Sequence, residues 1–163
     1  MSNPFDEFLK EVKPMLTTYA REVAIDGVNF FKKSFTDQGF TNRGLNRWRS
    51  RKINKLYLRR SIKTIGGKNA RTTFRLTKQA KRANHAILIK TGKLRRSIKG
   101  EANRLNIEFT ANTAYAQIHN EGGLAGRNKK ARIPKRQYMG ESEEFMNQIS
   151  DKFLKKLEQV FNK

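Results

Sequence analysis

The chain has 163 residues, enough for one domain with a core and short for two. Apolar residues make up 36 %, with eleven Phe, and no run approaches the roughly 18 consecutive apolar residues that span a bilayer; without cysteine there is neither a disulfide nor a thiolate metal site. Charge is the dominant bulk feature, 36 Lys and Arg against 14 Asp and Glu giving +22, and nucleic acid is the obvious partner for such an excess.

Residues 5–35 place apolar side chains at steps of three and four, among them Phe8, Val12, Leu16, Tyr19, Val23, Phe31 and Phe35, which predicts a long amphipathic helix. Asn3 suits its cap and Pro4 its first position. Pro14 should kink or split the helix near Lys13, and Gly39 should stop it. The N-terminus, Met1 to Leu9, carries acids and no long apolar run, so it does not read as a signal peptide, which fits a protein made in a cytoplasm.

In the middle, Trp48 sits among Arg47, Arg49 and Arg51. A short helix is expected around 53–62, with Leu56 and Tyr57 apolar, then a break at Gly66 and Gly67. The β-type residues of 72–77 suit a hairpin arm. Residues 40–87 together read as a strongly basic insertion that a partner would order.

Further on, Leu94 and Ile98 precede an alternation at Leu105, Ile107 and Phe109, so 95–109 reads as an antiparallel hairpin turning at 100–103. Thr113 can cap a short helix over 114–120, ended by Gly122 and Gly123. A loop with Gly126 and Pro134 leads to an extended piece ending at Gly140. From Ser142 to about Phe161, Phe145, Ile149, Phe153, Leu157 and Val160 mark a second amphipathic helix. Glu143 and Glu144 in its first turn suit the helix dipole. The expected class is α+β in one domain, 1–163: a long N-terminal helix, a small antiparallel sheet with a short helix, and a C-terminal helix.

The charge is concentrated. Residues 38–100 hold twenty basic residues and no acid, and 127–136 hold six more and no acid. The remainder, 1–37, 101–126 and 137–163, is close to neutral. Arg47, Arg49, Arg51 and Lys52, with Arg127, Lys129, Lys130 and Arg132, are therefore candidate contacts. Two readings stay open: nucleic acid held by its phosphates, or, more plainly, a solvated loop or the positive half of an interface with an acidic neighbour. Aromatic residues among the basic ones, Trp48 and Phe74, could stack on bases or serve as core anchors; for Trp48 the core role is favoured.

Nothing in the sequence supports an enzyme, a cofactor or a metal. His119, Asn120 and Glu121 echo the His-x-Glu of zinc deaminases, but the Cys pair that site needs is absent, and His119 more simply ends a short helix and bonds locally. Gly66, Gly67 and Lys68 lack the spacing of a phosphate-binding loop, and there is no nucleophile elbow.

Four pieces in order carry a resemblance, three motifs and the strand Leu105–Phe109 that follows the first. Thr91, Gly92, Leu94, Ser97 and Ile98 form Thr-Gly-x-Leu-x-x-Ser-Ile. Tyr115, Ala116, Ile118, His119, Gly122 and Gly123 follow, then Pro134, Arg136, Tyr138 and Gly140 in Ile-Pro-x-Arg-x-Tyr-x-Gly. This series, with Phe35, Gly39 and Trp48 upstream, resembles the virion morphogenesis and tail-completion proteins of Mu-like tailed phages. Residues 40–86 depart from the pattern, being longer and more basic.

The resemblance implies a non-enzymatic assembly subunit at the head–tail junction or tail end of a virion, assembled in the host cytoplasm. It further implies an oligomeric ring in contact with other neck or tail proteins. The motif residues have structural readings: Gly92, Gly122 and Gly123 as turns with positive φ, Tyr115 and Ile118 packing on the sheet of Leu105, Ile107 and Phe109, and Pro134 with Tyr138 supplying an edge strand and an anchor. The alternative is a nucleic-acid-binding protein using 38–100 and 127–136.

Overall fold

The first periodic stretch forms one continuous helix, α1 (Pro4–Asp37), in a computed structural model that describes residues 4–51, 57–62, 71–83 and 85–161. Pro4 takes the first helical position; Asn3, the expected cap, lies outside the described residues. Of the kink or split expected at Pro14, the split does not occur. A proline removes one hydrogen bond, and packing on both sides of it holds the helix together. Phe8 stacks on Phe161 at 5.3 Å, and Tyr19 meets Phe153 at 5.2 Å.

The helix stops one residue earlier than Gly39 suggested. Gln38 adopts the left-handed φ of 54°. Its side-chain amide compensates by donating to Phe35 O (2.5 Å) and accepting from Ile87 N (2.5 Å). Gly39 instead serves a close approach: a Cβ there would lie 2.6 Å from Asn46 O.

Four antiparallel hairpins are present among the described residues, rather than one small sheet. β1 (Gly39–Thr41) pairs with β2 (Leu45–Arg47), and β3 (Tyr57–Ile62) pairs with β4 (Arg71–Leu76). The helix expected over 53–62 is thus a strand in its described part, because pairing with the β-prone partner strand overrides weak local propensity. Residues 53–56, Gly66 and Gly67 lie outside the described residues, while the arm expected over 72–77 is β4. Two short helices follow, α2 (Lys78–Ala83) and α3 (Lys93–Arg96).

β5 (Ile98–Asn103) and β6 (Asn106–Ala111) form the expected hairpin, but its turn is Arg104 and Leu105 instead of 100–103. Leu105 is consequently 60 % exposed, and Ile107, Phe109 and Ala111 face inward. Gly100 is needed within the strand: a Cβ there would lie 2.6 Å from Ala24 O of α1. Gly27 on α1 faces the Phe109 ring across the same helix–hairpin interface. The chain continues through α4 (Ala116–Glu121), β7 (Gly123–Ala125) and a 3-10 turn (Arg127–Lys129) to β8 (Ala131–Ile133), which pairs with β7.

The final helix, α5 (Glu143–Phe161), lies antiparallel along α1, its start beside Phe30 and its end beside Phe8. That start is capped twice: Ser142 Oγ accepts from Phe145 N (3.2 Å), and Asn42 Oδ1 accepts from Glu143 N (2.8 Å). Between the helices Lys152 bridges Asp26 (2.7 Å) and Glu22 (3.6 Å), Lys156 reaches Glu22 (2.8 Å), and the Tyr19 hydroxyl donates to Ile149 O. The core collects Phe31, Phe35, Phe40, Trp48, Leu94, Ile98, Ala116 and Tyr138 around the C-terminal half of α1.

Candidate functional site: a packed motif face and a cationic cleft

The first motif builds a turn. Gly92 takes φ 68°, Thr91 Oγ1 accepts from Lys93 N (3.4 Å), and Ser97 Oγ donates to Leu94 O (2.8 Å). That geometry aims Leu94 and Ile98 into the core.

The second and third motifs lock together. Tyr138 is 1 % exposed, and its hydroxyl donates to Ala116 O (3.1 Å). Burial pushes its pKa up to about 12. Gly122, at φ 78°, lets the backbone of Lys135 approach: a Cβ would lie 2.7 Å from Lys135 N. Gly123 packs over Ile118.

Tyr115 departs from expectation. It is 39 % exposed and edges against the His119 ring instead of packing on the sheet, and Leu105 has left that sheet for the turn. Tyr115, not Thr113, is the cap residue of α4, and the Thr113 hydroxyl is buried without a partner among the described residues.

No edge strand forms at Pro134–Tyr138 either; pairing ends at Ile133. The reason lies in competing partners. Arg136 N donates to His119 O (2.8 Å), while Tyr138 N (2.9 Å) and Met139 N (3.1 Å) both donate to Asn120 Oδ1. Asn120 Nδ2 returns a bond to Met139 O (3.0 Å). Asn120 is thus the central clamp of this face, a role the sequence motifs do not single out. Gly140 closes the segment at φ 147°.

Trp48 belongs to the same face. Its ring is buried, edge-on to Phe35 at 5.6 Å, and its indole N–H donates to Gln137 O (2.6 Å). This is the core role, and the ring is not open for stacking on a base. The Phe74 side chain and Lys52 lie outside the described residues.

On the outer side of the same segment is an open cleft of about 920 Å³, between residues 49–51 and 132–136, with Gly122 and Gly123 along its wall. Five cations line it among the described residues: Arg49, Arg51, Arg132, Lys135 and Arg136. Glu121 is the one carboxylate among the described residues of that lining, and it accepts a bond from Gln117 (3.2 Å).

Arg51 is fixed by His85 O (2.5 Å) and Ala86 O (3.2 Å), and Arg136 reaches Arg49 O (3.4 Å). Arg136 Nε is buried without a partner among the described residues. Burial, then the charge of Arg51, lowers the Arg136 pKa. Burial, then Arg136, lowers that of His119. The expected local bond of the His119 side chain does not form at Nδ1, which is buried without a partner among the described residues.

Of the candidate contacts, Arg49, Arg51 and Arg132 therefore meet in one place. Arg127, Lys129 and Lys130 lie exposed on the turn of the β7–β8 hairpin, and Arg47 is exposed on β2. Among the described residues no group of three or more His, Cys, Asp or Glu is placed to hold a metal, and no helix is long and apolar enough to cross a membrane.

A sequence model of the phage virion morphogenesis family matches residues 67–158, more than half of the chain. No curated protein and no solved structure matches it.

Proposed function

The chain belongs to the phage virion morphogenesis family, and from that membership we propose that it is a non-enzymatic subunit that completes the tail, or joins tail to head at the neck. Virion morphogenesis is the role of the family; the neck or tail-end position and an oligomeric ring are the finer reading. The observation that carries it is the use of the motif residues. Leu94, Ile98, Ala116 and Tyr138 are core residues and Ser97 bonds a backbone carbonyl, so the motif residues shape the subunit.

The helix pair supports association. Met146, Leu154 and Phe161 on α5 are 56 %, 57 % and 67 % exposed. At about 100° per residue they fall on one side of the helix, the stripe a neighbouring subunit would cover.

Deletion of the gene from an inducible phage is the test. Heads and tails should accumulate without forming infectious particles, and a plasmid copy should restore them. A normal yield of infectious particles from the deletion phage would overturn the proposal.

A further inference from the structure

We propose that the cleft between residues 49–51 and 132–136 is a binding site for the phosphodiester backbone of duplex nucleic acid. The inference does not depend on the assembly reading, because it rests on the cleft's own chemistry.

First, the cations are brought together by the fold and held there. Residues 49–51 and 132–136 are far apart in sequence, yet backbone carbonyls fix Arg51 and Arg136 at the cleft. Preorganised guanidinium groups lose little freedom on meeting an anion, and their planar forks match phosphate oxygens.

Second, four of the five cations carry no ion pair among the described residues. Among the described residues, Arg49, Arg132, Lys135 and Arg136 have no carboxylate within ion-pair distance.

Third, the sign of the surface stays constant beyond the cleft, along the hairpin to Arg127, Lys129 and Lys130, all exposed. A ligand of uniform charge density fits such a strip. An acidic protein surface would mix charges and offer apolar contacts, for which the lining provides only Ile133 and Pro134 as larger apolar groups among the described residues.

Fourth, no aromatic ring of the described residues lines the cleft, and Trp48 is buried. Single strands are held largely by base stacking on exposed rings. Without rings the contact is to phosphates, so binding should be independent of sequence and favour the duplex, whose charge density is higher.

The test uses the full chain and a labelled random-sequence duplex of about 20 base pairs, titrated by fluorescence anisotropy across a range of salt. Arg132→Ala/Lys135→Ala removes two exposed cations of the cleft. Lys93→Ala/Arg95→Ala removes the same charge from α3. Circular dichroism melting confirms that both fold.

The cleft pair should weaken binding at least about tenfold more than the α3 pair near physiological salt, and should lower the salt slope by roughly 1.8, about 0.9 for each phosphate no longer neutralised. Equal weakening by both pairs would mean diffuse attraction and overturn the site. So would a single strand binding as tightly as the duplex. Polyglutamate displacing the duplex at matched charge would assign the cleft to an acidic protein and overturn the proposal as well.

Discussion

The two ends of the 132–138 segment use opposite chemistry. At Tyr138 the amide donates to Asn120, the hydroxyl donates to Ala116 O, and the carbonyl accepts from Ser34 Oγ (3.3 Å). At Arg132 and Lys135 the side chains are exposed and make no ion pair among the described residues. The Tyr138 end is closed by neutral side-chain-to-backbone bonds, so the exposed Arg132 and Lys135 beside it are not needed for closure. Stability and charge are therefore separable within one short segment.

The hardest blow to the packed end is Trp48→Ala. It empties a site against Phe35 and leaves Gln137 O without its donor, which should cost about 3–5 kcal/mol. Thermal melting should show a loss of that size, or no cooperative transition. A change under about 1 kcal/mol would mean that Trp48 is not a core anchor. Next comes Asn120→Ala, which leaves the amides of Tyr138 and Met139 unpaired and should cost about 1–3 kcal/mol. A melting temperature equal to the parent's would remove Asn120 as the clamp.

A smaller effect is expected from Tyr138→Phe, which removes one hydrogen bond, about 1 kcal/mol. Its signature is in alkali. The folded pKa, about 12, lies above the ordinary value of 10.0, so the unfolded chain ionises first. The contribution of Tyr138 is complete below pH 10 and is lost as pH rises toward 12. Urea melts should show a steeper alkaline loss in the parent chain than in the variant.

How much of this the sequence makes legible depends on the range of the interaction. α1 and α5 can be read because a helix face repeats locally, and the packing across Pro14 only keeps one helix where two were allowed. The β5–β6 turn cannot. Gly100 looks like a turn residue, but its missing Cβ serves the approach of α1 at Ala24 O, a contact between distant positions. Leu105 continues the strand alternation by one residue, although it sits in the turn. The basic blocks are plain in one dimension; that residues 49–51 and 132–136 share a cleft is not. Asn120 escapes notice because an asparagine shows no pattern until its backbone partners are in place.

His119 lies between the two ends, and its effect is confined to acid. Its pKa is lowered, first by burial and then by Arg136, so the folded chain resists protonating it. Its contribution is complete above pH 6.5 and is lost as pH falls through the folded value. Glu22, held low by its hydrogen bond to Lys156, loses its own contribution only below pH 4.5. Between these limits the melting temperature should fall with pH in the parent and fall less in His119→Gln. Identical profiles would remove His119 from the account.

The smallest expected effect is the one the comparison most depends on. Arg132→Ala/Lys135→Ala should change stability by no more than about 0.5 kcal/mol, since both side chains are exposed and make no ion pair among the described residues. The sign should lean toward stabilisation. Arg49, Arg51 and Arg136 line the same cleft, and removing two like charges relieves repulsion. Salt provides an independent check, because it screens that repulsion in the parent. Raising ionic strength should therefore lift the melting temperature of the parent more than that of the variant. A destabilisation above about 1 kcal/mol, or a larger salt effect in the variant, would mean that these cations belong to the fold and that the two ends of the segment are not separable.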